Sequence, residues 1–399
     1  MRQPGSVKEV VEAGLCIGCG LCEAMAPERW KMAYTPQGRL RPSRIGAGSD
    51  AEILQACPGA VARPNSESAP LGDAVWGGYH RMQEAWASDP DTRFRAATGG
   101  VLTALAAHLL RSGQARFILH CAADPQAPMR SVWCLSGTPS QLLQRAGSRY
   151  GPSDTLAGLQ AALDRDEPFA VIAKPCDAGA LREVSKSDQR LARNLVGVLV
   201  MVCGGASDLG KSQAVLDEYK LSETDVALFR YRGHGNPGPT RIETHDGRAF
   251  QKTYGEMWAD ESGWRIQTRC KICPDALGEA ADVAAADIWP DASPDGDDEG
   301  FNGVITRTAA GERLFRAACE AGSLTAGADI TPRQFDTFQP HQVRKKHALA
   351  ARLRGMDAAG SPVYRHEGLR LETLDTRDAQ EEAGTLQRVR NGRFHEKLP

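Results

Sequence analysis

An α/β fold, α+β overall once a small cysteine-rich N-terminal domain is added, is what this sequence predicts. Three observations point there. From about residue 75 to 210, apolar runs alternate with helical patterns, as strands and helices laid in layers require. Three of those runs, Phe117–Leu119, Phe169–Ala173 and Leu195–Val202, are continuous, as in strands buried on both faces. Four of the eleven cysteines, Cys16, Cys19, Cys22 and Cys57, stand together ahead of this region.

The chain then divides into four stretches. Residues 1–66 carry the first cysteines and close on Arg63-Pro64-Asn65-Ser66-Glu67-Ser68, a polar linker. Residues 75–210 form the α/β layer. Residues 211–340 are richer in Gly, Trp and Arg and hold a second CxxC. Residues 341–399 are Arg/Glu-rich and poor in large apolar side chains, which predicts surface helices and a partly loose tail. The three apolar runs lead to Cys121, Cys176 and Cys203. Ligands of open α/β sheets collect at the carboxyl ends of the strands, so these three cysteines are expected at one edge.

Composition excludes several functions. The 399 residues are 41% hydrophobic and 25% charged, enough to bury a large core unaided. Lys+Arg 48 against Asp+Glu 50 gives a net charge of -2, which argues against a nucleic acid or an anionic membrane as partner. The longest apolar run, Leu195–Cys203, is half a bilayer span. The first residues carry Arg2, Lys8, Glu9 and Glu12 with no apolar core of a signal peptide, so the chain is expected to be cytoplasmic. In that reducing compartment clustered cysteines serve metals or catalysis rather than disulfides.

Cys16-Ile17-Gly18-Cys19-Gly20-Leu21-Cys22 is C-x2-C-x2-C, and Cys57-Pro58 follows at a distance. A cubane iron–sulfur cluster needs four thiolates wrapped round a compact object, and two-residue spacers let one loop supply three. Gly18 and Gly20 let the backbone curl. Zinc competes, but its sites pair CxxC with a second CxxC or with histidines, and no histidine precedes His80. The segment from Cys16 to Trp30, with Gly38 and Ala56-Cys57-Pro58-Gly59, resembles a single-cluster bacterial ferredoxin. Ala26-Pro27 stands where the two-cluster version has a cysteine before proline, so the likeness implies one 4Fe-4S cluster on Cys16, Cys19, Cys22 and Cys57.

Cys270-Lys271-Ile272-Cys273-Pro274-Asp275 alone could be a zinc knuckle or a redox pair. Together with Lys174-Pro175-Cys176-Asp177 and Met201-Val202-Cys203-Gly204-Gly205, it resembles the beta-subunit family of deazaflavin-coenzyme hydrogenases and dehydrogenases. That family includes ferredoxin-type chlorophyllide vinyl reductases and hydroxymethyl-chlorophyll a reductases. The resemblance spans roughly residues 10 to 345. It implies a second 4Fe-4S cluster on Cys176, Cys203, Cys270 and Cys273, and a bound FAD.

For FAD, the resemblance marks Thr98, Gly99, Gly100 and Val101, where Thr98 is expected to cap a helix whose N-terminus attracts a phosphate. It also marks Arg149 and Tyr150, Lys174 and Asp177, and Arg232 and Asn236 within Phe229–Gly238. His234, between glycines of that last motif, is the candidate proton donor. His80, His108 and His120 read as core or surface residues, and Cys121 and Cys319 as buried thiols. The acidic segment Asp291–Glu299 reads as a solvated turn.

The resulting expectation is an iron–sulfur flavoprotein oxidoreductase with an α/β FAD-binding domain. Ferredoxin or a similar low-potential donor would feed two clusters, then FAD, then an unsaturated organic substrate, tetrapyrrole-like or other, with self-association left open. Two alternatives stand beside it: a subunit that reduces the deazaflavin coenzyme itself, and a non-catalytic iron–sulfur assembly or sensor protein.

Overall fold

The computed structural model describes residues 1–67, 69–289 and 299–399. An eight-stranded sheet forms its centre: β1 (Arg81–Ala87), β2 (Phe117–Ala123), β3 (Ser131–Ser136), β4 (Phe169–Ala173), β5 (Leu195–Met201), β6 (Val283–Ile288), β7 (Phe301–Thr306) and β8 (Leu324–Asp329). Their spatial order is β8-β1-β7-β6-β5-β4-β2-β3. The central run β2, β4, β5, β6 is parallel. The strands added on either side are antiparallel.

The continuous apolar runs are explained by cover on both faces. Phe117, Leu119, Phe169, Val171, Val198 and Val200 share one core with Leu181 and Val184 of helix Pro175–Val184. Ile118, Ala170, Leu199 and Val283 turn the other way, against Leu105 and Leu109 of helix Val101–Arg111 and Phe315 of helix Ala309–Glu320. Parallel strands need such crossover connections, and helices supply them.

Three expectations change here. The division at residue 210 does not end the large sheet, because β6, β7 and β8 complete what β1 begins. Cys121 lies inside β2, opposite Trp133, and not beyond its end. The C-terminal stretch is anchored rather than loose. Leu349, Leu353, Met356, Tyr364 and Phe394 are buried against Val10 and Leu15 of the N-terminal segment. Spaced among charged residues, these few apolar side chains cover a face of the first domain rather than form a core of their own. Arg63, in the expected linker, pairs with Glu183 and Glu367, both at 2.8 Å. Ser68 and nearly all of Asp291–Glu299 lie outside the described residues.

The N-terminal segment holds helices Val7–Glu12, Leu21–Met25 and Ala51–Ala56 around an antiparallel ribbon, Trp30–Tyr34 with Leu40–Arg44. Strand Val61–Ala62 pairs in parallel with Arg365–His366, which ties the two ends of the chain together. A three-stranded antiparallel sheet, Val226–Arg230, Thr240–Thr244 and Ala249–Lys252, stands apart from the large one.

Candidate functional site

The parallel run decides where the cysteines meet. Ala173 at the end of β4 is in register with Val200 near the end of β5, so both strands stop on the same edge. Beyond them come Lys174-Pro175-Cys176 and Val202-Cys203. Cys176 enters the first turn of helix Pro175–Val184. The Cys203 amide donates to the Ala276 carbonyl at 2.8 Å, which draws the Cys270–Cys273 loop over the edge. Cys176, Cys203, Cys270 and Cys273 all line one narrow pocket, with Ile17 of the first cysteine loop as a shared wall.

Helix Pro340–Ala358 clamps this assembly from outside. Gln342 Nε2 donates to the Cys203 carbonyl at 2.8 Å, and Lys346 Nζ to the Pro274 carbonyl at 3.1 Å. Asp275 accepts from the amides of Glu279 (2.9 Å) and Leu277 (3.2 Å), closing the turn that follows Cys273.

Cys16, Cys19, Cys22 and Cys57 form a second gathering. Cys19 and Cys22 each feel the charge of Cys57, and Cys22 and Cys57 that of Cys16. Gly18 and Gly20 adopt left-handed backbone, φ 74° and 87°, as the curl expected of this loop demands. A side chain at Gly20 would stand 2.6 Å from the Ala157 nitrogen, so the loop presses directly on the sheet domain. Leu156 donates its amide to the Cys19 carbonyl at 2.9 Å across the same contact.

Desolvation is the main cause that raises Cys16, Cys19, Cys22 and Cys57 in one set and Cys176, Cys203 and Cys270 in the other. It pushes Cys57 and Cys203 up to about 12, and neighbouring cysteines add to the rise. Binding a metal therefore means displacing protons. Backbone amides already address sulfur in each set: Gly18 N to Cys16 Sγ and Ala206 N to Cys270 Sγ, both 3.3 Å. Among the described residues, no three His, Cys, Asp or Glu side chains gather as tightly as a single metal ion requires. Neither set is drawn into the small tetrahedron of a structural zinc. Four largely enclosed thiols without a histidine, met by amide donors, fit the ligand set of an iron–sulfur cluster.

The residues marked for FAD separate into different places. Thr98, Tyr150 and Arg232 meet at Asp287, the end of β6. Arg232 donates to Asp287 (2.6 Å), Tyr150 Oη (3.1 Å) and the Ala97 carbonyl (2.7 Å). Thr98 Oγ1 donates to Asp287 at 3.0 Å and accepts from Asn302 at 2.9 Å. Thr98 thus does not cap helix Val101–Arg111; left-handed Gly100 holds that place, and the Val101 amide is taken by Asn302 Oδ1 at 3.2 Å. Gly99 packs on Asn302, and Asn236 packs on Gly300 beside Thr98. Burial works against the Arg232 charge, but Asp287, with Tyr150 and Tyr254 beside it, reverses the balance and holds the guanidinium firmly protonated.

Lys174 lines the cysteine pocket, with the buried Asp177 behind it. They pair at 2.9 Å, and Lys174 also reaches the Ser153 carbonyl (2.9 Å) and hydroxyl (2.8 Å). Arg149 clamps the carbonyls of Pro128 (2.8 Å), Arg130 (2.6 Å) and Phe229 (3.1 Å). The three cations marked for FAD are thus matched to protein oxygens. His234 is exposed against Phe94, ring centres 5.3 Å apart. Desolvation, then Arg230 and Arg95, lowers its pKa, so these surroundings give a proton-donor role no support.

Sequence reasoning passed over Asp287, Arg269 and Gln342. The first was visible as the one carboxylate in the apolar run Val283–Ile288, where an unpaired charge would not be tolerated. Arg269 and Gln342 carried no such signal, being ordinary members of polar stretches.

Comparison with known proteins adds the lineage. The family model for the C-terminal part of the coenzyme F420 hydrogenase/dehydrogenase beta chain matches residues 166–330, and the model for its N-terminal part matches residues 82–160. The chain is 24% identical over 259 residues to the beta chain of the coenzyme F420 hydrogenase of Methanothermobacter thermautotrophicus, covering 62% of this chain and 84% of the relative. It is 20% identical over 317 residues to one of the subunits of the F420H2 dehydrogenase of Methanosarcina mazei, covering 78% and 84%. A chain of the F420-reducing NiFe hydrogenase complex of Methanosarcina barkeri shares the fold with a TM-score of 0.56 at 18% identity, over 74% of this chain and 98% of that one. Both family-model matches begin after the Cys16–Cys57 segment.

Proposed function

We propose, on the premise that this chain belongs to the beta-subunit family of coenzyme F420 hydrogenases and dehydrogenases, that it is an electron-transfer subunit of an oxidoreductase exchanging electrons with that deazaflavin coenzyme. The relatives favour this over the unsaturated, tetrapyrrole-like substrate that the sequence first suggested, since their names carry the coenzyme and none a double-bond reduction. The observation that carries the proposal is the convergence of Cys176, Cys203, Cys270 and Cys273 on one pocket whose wall includes Ile17 of the Cys16–Cys22 loop.

In this reading each set of four cysteines holds a 4Fe-4S cluster, which when bound supplies one-electron transfer. The chain's own residues shape that chemistry. Partial burial limits water at the thiolates, the Gly18 and Ala206 amides donate to sulfur, and helix Pro340–Ala358 fixes the loops carrying Cys203 and Cys273. The structural relative comes from a multi-chain complex, which supports a partner subunit, in preference to free ferredoxin, as the electron donor. FAD rests on the family resemblance alone, because Arg149, Lys174 and Arg232 are committed to protein oxygens; no step is assigned to it.

Anaerobic purification followed by iron, sulfide, zinc and flavin quantitation tests the cofactor side. About eight irons per chain are expected from two cubane clusters, and about four would remove one of the two sets. Zinc in place of iron would overturn both. Mixing the reduced protein with coenzyme F420 tests the acceptor: its absorbance should bleach, and an unchanged spectrum refutes the reading.

A further inference from the structure

Arg269 is 3% exposed and precedes Cys270 in the chain. Its guanidinium lies over the Tyr364 ring, 4.6 Å from the centroid, and donates to the Pro58 carbonyl at 2.6 Å, beside Cys57. A weaker contact reaches the Ile272 carbonyl at 3.4 Å, and among the described residues Nε has no hydrogen-bond partner. The same side chain lines the pocket of Cys176, Cys203, Cys270 and Cys273. Its charge is felt by Cys270 of that set and by Cys16 and Cys57 of the other. Among the described residues no carboxylate forms an ion pair with it. The contrast is Arg41, equally buried and also near Cys16, which has Glu396 at 2.5 Å.

An ionised group without a counter-charge costs several kcal/mol to bury, so a cation held this way is stabilised by any anion brought beside it. Four-thiolate iron–sulfur centres held by the two cysteine sets would be such partners. Each carries net negative charge, and each one-electron reduction adds one more with no proton required.

We infer that Arg269 is the shared counter-charge of the two cysteine sets, a positioning residue that favours the reduced state of both centres at once. This rests on the proposed two-cluster reading and goes beyond it, since cluster occupancy alone would not link the two potentials to one side chain. A cation beside only one centre would shift one midpoint; one between them shifts both in the same direction.

The test is a mediated redox titration of the full-length, anaerobically purified chain, followed by electron paramagnetic resonance, with iron measured on each sample. Wild-type iron near four or near zero would defeat the two-cluster reading before Arg269 is touched. With both centres loaded, Arg269→Gln should move both midpoints to more negative values, and Arg269→Lys, which keeps the charge, should return both toward wild type. Unchanged midpoints in Arg269→Gln, a shift confined to one centre, or equal shifts in both variants would overturn the inference. If Arg269→Gln fails to retain iron, Arg269→Lys decides. Full loading with wild-type midpoints supports a requirement for charge; loss of iron there too assigns Arg269 to shape alone and overturns it.

Discussion

Lys346 offers a test of what holds the Cys270–Cys273 loop in place. Its Nζ stands 2.5 Å from Glu279 Oε1 and 3.1 Å from the carbonyl of Pro274, and the two side chains are 3% and 2% exposed. Burial alone would raise the Glu279 pKa, yet Lys346, Arg370 and Arg307 together bring it below the usual carboxylate value. Removing one member of a buried pair strands the other charge and costs about 3–5 kcal/mol. Arg370 still reaches the second Glu279 oxygen and is itself partly exposed, which places Lys346→Met near the lower end, about 3 kcal/mol. Urea unfolding should show this as a lower midpoint at unchanged slope. Adding Glu279→Gln removes the stranded carboxylate and should restore more than half of the loss. Iron should also fall, because Pro274 adjoins Cys273 and loses its anchor. A loss below about 1 kcal/mol, or a double variant no more stable than the single one, would refute the buried-pair account.

Other consequences are as direct. Gly20→Ala places a side chain 2.6 Å from the Ala157 nitrogen at φ 87°, so the Cys16–Cys22 loop must shift; iron should drop from about eight to about four per chain, and full iron would contradict this. Asp287→Asn leaves Arg232, 2% exposed, without its carboxylate and should cost about 3 kcal/mol in a denaturant titration, a neutral effect counting against the hub. His120 is pushed down to about 4, chiefly by burial. Between about pH 6.5 and 4 the unfolded chain takes up a proton that the folded chain refuses. The stability is therefore complete above that window and falls by about 3 kcal/mol on acidification through it. His120→Gln should flatten that limb of the stability–pH curve, and an unaltered slope would exclude His120 as its source.

Local pattern was sufficient for the parts whose chemistry lies in a few consecutive residues. The C-x2-C-x2-C loop, its two turn glycines and the strands Phe169–Ala173 and Leu195–Met201 were all legible, because backbone curl and two-sided burial act on adjacent positions. The approach of Cys176 and Cys203 also followed, since neighbouring parallel strands end together. Partners far apart in sequence were another matter. That Arg149 would clamp carbonyls from a loop and a distant strand, or Thr98 serve Asp287 rather than its own helix, depends on distances that no local pattern encodes.

The sequence by itself named the candidate ligands: four cysteines in one spaced group, with the glycines that let it turn, and four more that the family resemblance marks. Only the tertiary structure decided what stands between them. Ile17 reaches the far pocket, Arg269 reaches Pro58, and the final helices close over both. A buried charge is compensated by whatever the fold brings within a few ångströms, and positions more than two hundred residues apart acquire that proximity only when the sheet has closed.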